Sequence, residues 1–304
     1  MTLRVFWQLV WLITVALFFS VPGSVFARGS TVGVLISREI APYVAMIEGV
    51  ETRLIDCSVQ RFFLDAKGQP YSLGRYGDTL EPAHFDVMVA VGPEALNYLL
   101  PIADPDTLIY GMVLNPEKIL YGSGPQPCGV MLNLPFKAQL TSIQEYLPEL
   151  KQLGILYDPA NNQSWYEDAE LTAATSGIQL VPLQVRKTAT GLKIIGEMSH
   201  ADALLFIPDR TIISKVVIQY VIKEAFHRRI PTVGFNRFFH DSGAALSFIV
   251  DYKKVGEQVA EQVRYRLNGE SCLDEQPPFF HSQVNEDTWR VLGLESLTGS
   301  GEGD

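Results

Sequence analysis

The sequence predicts an α/β protein with two lobes, each built on an open parallel sheet. Short apolar runs bounded by Gly, Pro and Asp alternate with segments of helical period along the chain. Runs such as Val87–Val91 are apolar at every position, which is typical of parallel strands covered on both faces. The chain has 304 residues, enough for two such lobes of ordinary size.

Eight segments are predicted as strands because they are short, apolar and followed by turn residues. They are residues 31–37, 59–65, 85–91, 107–113, 153–157, 178–182, 203–207 and 231–235. Apolar residues at helical spacing predict helices after Pro135, over 211–228, and around 255–263, where the pattern ends before Asn268-Gly269. The polar segment 298–304 is predicted to be a disordered tail.

Residues 1–27 are predicted to form a secretory signal peptide. Arg4 precedes an apolar run that ends at Val21, and Val25-Phe26-Ala27 supplies the small residues of a cleavage site. The alternative is an uncleaved membrane anchor, because about 17 apolar residues is the lower limit of a membrane span. No second apolar stretch of spanning length follows in the sequence. We therefore expect export to the periplasm or another extracytoplasmic compartment.

Composition and charge argue against several classes of protein. With 47% hydrophobic and 19% charged residues, the chain is too apolar to be disordered. The net charge of −10 argues against a nucleic-acid partner, which requires a basic face. Cys57, Cys128 and Cys272 lie too far apart for a zinc motif, and buried free thiols are their simplest interpretation. The scattered histidines and cysteines predict no metal or organic cofactor.

Catalytic sequence motifs are missing. The chain has no phosphate-binding P-loop, no dinucleotide-binding glycine motif, no H-E-x-x-H and no G-x-S-x-G. His240-Asp241 is the one histidine next to a carboxylate, and adjacent residues rarely share one site. We predict a protein that is not an enzyme. An exported enzyme is the alternative, since catalytic residues can lie far apart in sequence.

Polar turns follow four of the predicted strands. They are 92–94, 158–164, 208–211 and 236–237. In an open parallel sheet, ligands bind beyond the carboxyl ends of the strands, where helix N-termini present free N–H groups. Each turn taken alone could be an ordinary helix cap. Four turns at equivalent topological positions indicate a cleft for a small molecule.

Several segments also resemble one known family in order and spacing. They are LPELKQLGILYDP at 147–159, DALLFIPD at 202–209, IPTVGF at 230–235, GAAL at 243–246 and DYKKVG at 251–256. Weaker likeness covers 42–49, 91–95 and 115–116. The sequence from Cys128 to Gly269 in this way resembles the tryptophan/tyrosine-type solute-binding proteins of ABC transporters.

This resemblance implies a periplasmic-binding-protein type I fold, with two Rossmann-like lobes joined by a three-stranded hinge. Lobe 1 would comprise residues 28–134 and 247–276, and lobe 2 residues 135–246 and 277–297. The chain departs from the family pattern at Arg210, where the family usually has Asn, and in the first lobe at Ser37-Arg38-Glu39. The candidate ligand-binding residues are Ser37, Gly92, Pro93, Glu94, Asn115, Asn162, Ser164, Asp209, Arg210 and Asn236.

The function implied is that of a monomeric receptor that closes on an amino acid or small carboxylate. It would deliver the solute to a membrane ABC permease or report it to a membrane sensor. Arg210 is expected to pair with an anionic group of the solute, and Asp209 with an amine or hydroxyl. The alternative for Asp209 is a cap on the predicted 211–228 helix.

Overall fold

The computed structural model describes residues 29–72, 79–121, 124–185, 198–209, 211–212, 214–273 and 276–294. The predicted signal peptide, Arg210 and the predicted tail lie outside the described residues. No helix among those described is both long enough and apolar enough to cross a lipid bilayer.

Two six-stranded sheets form the centres of two lobes. The first contains β1 (Thr31–Ile36), β2 (Ser58–Leu64), β3 (Pro70–Ser72), β4 (Val87–Val91), β5 (Leu108–Val113) and β6 (Cys128–Met131), in the order β3-β2-β1-β4-β5-β6. The second contains β7 (Gln152–Tyr157), β8 (Gln179–Gln184), β9 (Ala203–Phe206), β10 (Thr232–Gly234), β11 (Leu246–Val250) and β12 (Phe280–Val284), in the order β12-β11-β10-β9-β7-β8. Each sheet is parallel except for one antiparallel edge strand, β3 or β12.

Helices cover both faces of each sheet. They are α1 (Ala41–Arg53), α2 (Pro93–Leu99), α3 (Phe136–Tyr146), α4 (Pro159–Thr175), α5 (Lys215–His227), α6 (Arg237–Asp241), α7 (Tyr252–Leu267) and α8 (Glu286–Leu292), with short 3₁₀ turns at Pro82–His84 and Pro116–Lys118. Side chains alternate between the two faces of a strand. In β1, Val34 therefore packs with α1 and α7, whereas Leu35 packs with α2.

The chain crosses between the lobes three times. It leaves the first sheet after β6, and α3 then packs in the core of the second lobe. It returns after β11, since α7 packs against the first sheet. Gln276 pairs with Val130 beside the first sheet before the chain crosses again to β12. These crossings, at 132–135, 251 and 277–279, form the three-stranded hinge.

Strand β11 corrects the predicted lobe boundary. The sequence-based division placed residues from 247 onward in lobe 1, but Leu246–Val250 pairs with β10 and β12 in the second sheet. The chain re-enters the first lobe only at α7, whose N-terminal cap is Asp251. The motif DYKKVG thus marks the crossing itself.

The cysteines also differ from their simplest interpretation. Cys128 on β6 and Cys272 after α7 form a disulfide, with Cα atoms 6.1 Å apart and a sequence separation of 144. Cys57 is the free thiol. Spacing along the sequence could not show the pairing, because α7 and its following segment reach β6 only after the chain has passed through the second lobe as far as β11.

Candidate functional site

A cavity of about 380 Å³ lies where the second lobe meets the hinge. Five aromatic side chains form much of its described lining: Trp165, Phe235, Phe238, Phe239 and Tyr252. The polar lining residues are three amides, Asn133, Gln139 and Asn236, and no described lining residue is charged. The volume and the mainly apolar lining are those of a pocket for a small organic molecule.

The cavity is assembled from the strand ends at which ligands bind in open parallel sheets. Leu114 follows β5 of the first sheet. Pro208 follows β9 and Asn236 follows β10 of the second sheet. Leu132 belongs to the first crossing, and Tyr252 directly follows the second. Both lobes and the hinge therefore contribute to its wall.

Ser37 fixes the turn that begins α2 in the first lobe. The Ser37 side chain is buried, and its Oγ accepts a 2.9 Å hydrogen bond from the backbone N–H of Ala95. Gly92 has φ 90°, and a Cβ there would lie 2.7 Å from Ser37 Oγ and from the Tyr43 hydroxyl. Only glycine fits both the backbone conformation and the space. Pro93 then starts the helix.

An ion pair lies beside this turn. The Arg38 guanidinium donates to the Glu94 carboxylate, and the side chains are 68% and 41% exposed. Burial opposes ionisation of Glu94, but hydrogen bonds from its backbone N–H, Arg38 and Ser37 outweigh it and lower its pKa. Burial, followed by the nearby Glu94 charge, raises the pKa of Tyr43. Glu94 is thus held ionised beside a neutral phenol.

Asn115 joins the first lobe to the hinge. Its left-handed backbone, with φ 51°, turns the chain after β5. The Asn115 backbone N–H donates to Asn133 Oδ1 at 2.6 Å, and Asn133 Nδ2 donates to Asn115 Oδ1 at 2.5 Å. Asn133 lines the cavity, and Asn115, which is not part of the described lining, holds the Asn133 side chain in place.

Asp209 is buried inside the turns that follow β7 and β9. Its side chain is 1% exposed. Oδ2 accepts from the Asp158 backbone N–H at 2.7 Å and from Asn162 Nδ2 at 2.6 Å. Oδ1 accepts from the Thr211 backbone N–H at 2.8 Å. The carboxylate therefore holds two turns together and positions the neighbouring Pro208 at the cavity.

The predicted 211–228 helix is shorter than expected. Helix α5 begins at Lys215 with Ser214 as its cap residue, so Asp209 does not cap it. Instead, Asp209 closes a local turn through Thr211, and Thr211 also donates from its hydroxyl to Asp158 Oδ2 at 2.7 Å. The alternative role of Asp209, as a cap on this helix, is therefore wrong.

The structure separates the predicted ligand-binding residues into groups. Asn236 lines the cavity, and its Oδ1 accepts from the Phe238 backbone N–H at 3.0 Å. Ser164 lies exposed on α4. The other described candidates build turns at the strand ends: Ser37, Gly92, Pro93 and Glu94 after β1 and β4, Asn115 after β5, and Asn162 and Asp209 after β7 and β9.

Sequence reasoning missed several lining residues. Gln139 lies within α3 and follows no strand. The expectation that ligands bind beyond the carboxyl ends of strands therefore could not identify it. Leu132 and Leu134 belong to the first crossing, whose position became visible only with the sheet topology. Within the described ranges, no three His, Cys, Asp or Glu side chains converge as a metal site would require.

Comparison with known proteins now decides the family. The model of the family described as "ABC transporter substrate binding protein" matches residues 121–283, more than half of the chain. The chain belongs to this family. The match spans the hinge, the second lobe as far as β12 and most of the cavity wall. Among curated proteins, no sequence matches this substrate-binding protein significantly.

Solved structures show the same fold as this substrate-binding protein. The ligand-free, open form of CD0873, a substrate-binding protein with adhesive properties from Clostridium difficile, is 17% identical with a TM-score of 0.70, over 89% of this chain and 97% of that one. An ABC domain in complex with L-Trp from Streptococcus pneumonia is 18% identical with a TM-score of 0.55, over 88% and 95%. A conserved domain protein from Vibrio cholerae is 22% identical with a TM-score of 0.56, over 88% and 96%.

Proposed function

We propose that this protein is an exported receptor that closes on a small organic solute and delivers it to a membrane ABC permease. The observation that carries the proposal is the cavity between the lobes, to which strand ends of both sheets and the hinge contribute. A solute held there contacts both lobes, and closure would bring more of each lobe against it. Binding therefore favours the closed form through its differential affinity for that form.

The proposed solute is an amino acid with an apolar or aromatic side chain. The aromatic wall of the cavity suits that side chain. The charged ends of such a molecule would lie towards Arg38 and Glu94, at the carboxyl ends of β1 and β4. Adjacent strands lie about 4.8 Å apart, so the end of β1, two strands from β5, is about 10 Å from Leu114. An extended amino acid whose side chain lies in the cavity could reach that far along the first lobe.

The ion pair is suited to exchanging partners. An exposed pair contributes only about 0–1 kcal/mol to folding, so separating it costs little. Arg38 can then bind the solute carboxylate with two parallel hydrogen bonds, and Glu94 can accept from its ammonium group. In this proposal the first lobe recognises the head group and the second lobe recognises the side chain.

A screen that combines thermal shift with X-ray scattering tests the receptor proposal. Free amino acids, including L-tryptophan, and small carboxylates are added to the protein. A cognate solute at a hundredfold excess over its Kd should stabilise the fold by about 2.7 kcal/mol. The radius of gyration should fall in the same sample. A complete absence of both effects across the panel would contradict the receptor proposal.

Recovery of the solute after binding separates a receptor from an exported enzyme. Mass spectrometry should find it chemically unchanged and at one equivalent. Its conversion to a product would favour the enzyme. Export itself is tested on protein secreted by the native host, whose N-terminal residue should be Arg28.

A further inference from the structure

Strand β12 forms an edge of the second sheet that lacks the usual protection of sheet edges. Such edges carry unpaired N–H and C=O groups, and proteins protect them by short length, proline, charged side chains or a covering segment. β8, at the other edge of the same sheet, contains Pro182. In the first sheet, β3 has three residues and begins with Pro70, and β6 pairs through Val130 with Gln276. β12, with the sequence FHSQV, contains no proline, lysine, arginine or carboxylate.

The hydrogen bonds between β11 and β12 show which backbone groups of β12 face outward. In an antiparallel pair, residues that exchange hydrogen bonds with the neighbouring strand alternate with residues that do not. The Asp251 N–H donates to the Phe279 carbonyl oxygen, so the odd-numbered residues of this segment face β11. The N–H and C=O groups of Phe280, Ser282 and Val284 therefore point away from the sheet. Among the described strands, β12 pairs with β11 alone.

Helix α3 lies beside this edge. A groove of about 560 Å³ separates the two, and its described lining includes Lys137, Thr141 and Glu145. These three residues recur every fourth position, so they form one exposed side of α3. The Ser142 hydroxyl lies 2.6 Å from the Ser282 hydroxyl, so the middle of this side lies close to the middle of β12. Neither Lys137 nor Glu145 forms an ion pair with a described residue.

We propose that β12 pairs with β12 of a second copy of this chain, about a twofold axis at Ser282. Ser282 would face Ser282 of the second copy, and Phe280 would face its Val284. Each of these residue pairs would exchange two hydrogen bonds, which uses all the outward N–H and C=O groups of the edge. The same surface serves both copies, as in most closed dimers.

The charges on α3 match this axis. The axis is perpendicular to the sheet, so the two sheets join into one and both copies of α3 lie on the same face. The twofold operation makes these helices antiparallel, with Thr141 nearest the axis. Lys137 of each copy is thereby brought towards Glu145 of the other. This complementarity favours a second copy over a different protein as the occupant of the edge.

A dimer of this kind differs from the monomer that the family resemblance implies, and it does not depend on the proposed receptor function. Sedimentation velocity of the mature protein, up to about 1 mM, tests for it. We expect a reversible dimer, because an interface of one strand and one helix side belongs to the small, transient class. Deuterium exchange of the amides of Phe280, Ser282 and Val284 should become slower as the dimer fraction rises.

Exchange of the two charges tests the twofold arrangement. Lys137→Glu places two carboxylates opposite each other, so the dissociation constant of the dimer should rise about tenfold or more. Glu145→Lys should have the same effect. A mixture of the two variants should associate as well as the wild type, because every contact then joins opposite charges. Lys223→Glu, on the exposed side of α5 across the second sheet, is the matched control and should leave association unchanged.

Ser282→Pro tests the strand pairing itself. It removes an outward N–H without removing a hydrogen bond to β11, so association should be lost while the fold is kept. The charge exchange leaves the backbone unchanged and therefore stands even if Ser282→Pro does not fold.

Three results would overturn the proposal. The first is a wild-type protein that stays monomeric at every concentration. The second is slow amide exchange along β12 in the monomer, which would show that another segment of the same chain covers the edge. The third is a dimer that the charge changes do not weaken, or that mixing the two variants does not restore, because its interface must then lie elsewhere.

Discussion

At the residue scale, most polar side chains predicted to bind solute instead build the turns around the cavity. Asp209 and Asn115 are the clearest cases. Both carboxylate oxygens of Asp209 accept from backbone N–H groups, and the Asn115 backbone N–H donates to the side chain of Asn133. Strand ends carry polar residues for two reasons, ligand binding and turn formation, and the sequence pattern is the same for both. Burial and hydrogen-bond partners separate the two roles.

The Asp209 turn gives the first prediction. Asp209→Asn replaces an acceptor with a donor opposite existing donors, so the free energy of unfolding should fall by about 1.5–3 kcal/mol. Because Pro208 lines the cavity, the disturbed turn should also weaken solute affinity by about tenfold. Chemical denaturation and calorimetry measure the two effects.

Asp202→Asn is the matched control for Asp209. The Asp202 carboxylate also accepts from two backbone N–H groups, those of Lys151 and Gln152. This contact lies at the amino ends of β7 and β9, away from the cavity. This variant should lose stability and keep its affinity. Equal affinity loss in both variants would show that Asp209 has no particular role at the cavity.

The exposed ion pair gives a second prediction. Arg38→Met should leave the melting temperature of the ligand-free protein nearly unchanged, because such pairs contribute little to folding. It should weaken binding of the amino acid found in the screen by ten- to a hundredfold, about 1.5–3 kcal/mol for a charged hydrogen bond. Arg290→Met removes a comparable exposed pair with Asp287 on α8 and should bind normally.

The decarboxylated amine of the same solute tests which group Arg38 recognises. Arg38→Met and the wild type should bind this amine equally well, because it lacks the carboxylate. A larger loss for the amine than for the amino acid would mean that Arg38 acts through Glu94 rather than on the solute. Isothermal titration calorimetry measures each pair of affinities.

At the element scale, the sequence predicted eight of the twelve described strands and missed β3, β6, β11 and β12. β1, β4 and β5 are apolar and almost fully buried, so their pattern was clear. β3 and β12 are antiparallel edge strands of mixed polarity, and β6 has only four residues. β11 is interrupted by Ser247. In these four strands an antiparallel edge position, a short length or a buried polar residue weakens the apolar pattern on which the prediction depends.

The packing of α1 against α7 depends on two helical glycines. A Cβ at Gly256 would lie 1.9 Å from the Met46 carbonyl oxygen, and one at Gly49 would lie 2.0 Å from the Lys253 carbonyl oxygen. Both obstructions are backbone atoms, which no side-chain rotation can relieve. The two helices therefore approach closely only because these positions carry no side chain.

Gly256→Ala gives an element-scale prediction in which two effects oppose each other. Helix propensity alone would make the change stabilising by about 1 kcal/mol. Overpacking of the α1–α7 contact should outweigh it and lower the free energy of unfolding by about 1–3 kcal/mol or more. Gly124→Ala, where a Cβ meets nothing within 4 Å, is the control and should be nearly neutral. A stabilised Gly256→Ala protein would contradict the close helix contact.

At the scale of the whole molecule, topology decides what the sequence could reveal of the site. The alternation of strand and helix predicted two lobes. The tendency of ligands to bind beyond the carboxyl ends of parallel strands predicted on which side of each sheet the cavity lies. Asn236, which lines the cavity, was predicted in this way. Gln139 and Leu132 were not, because the wall they form depends on where the chain crosses between lobes. That information lies in contacts between distant segments.

The disulfide connects two of the segments that lead into the hinge. Cys128 precedes the first crossing and Cys272 precedes the third, and the chain between them contains the second sheet up to β11. Both cysteines pack against the core of the first lobe, so the bond does not bridge the cleft. It should therefore hold the base of the hinge without restricting closure.

The last prediction concerns loss of this bond. Closing a loop of 144 residues restricts the unfolded chain, and the chain-entropy relation gives about 5 kcal/mol as the maximal stabilisation. Replacing both Cys128 and Cys272 with Ser should lower the free energy of unfolding by about 2–5 kcal/mol, and reducing the wild type should have the same effect. Cys57→Ser should change little. Solute affinity should stay within about twofold in all three proteins, because the cavity wall contains none of the cysteines. Three titratable thiols in the unfolded, unreduced protein would contradict the bond, and a large affinity loss on reduction would show that the hinge depends on it for closure.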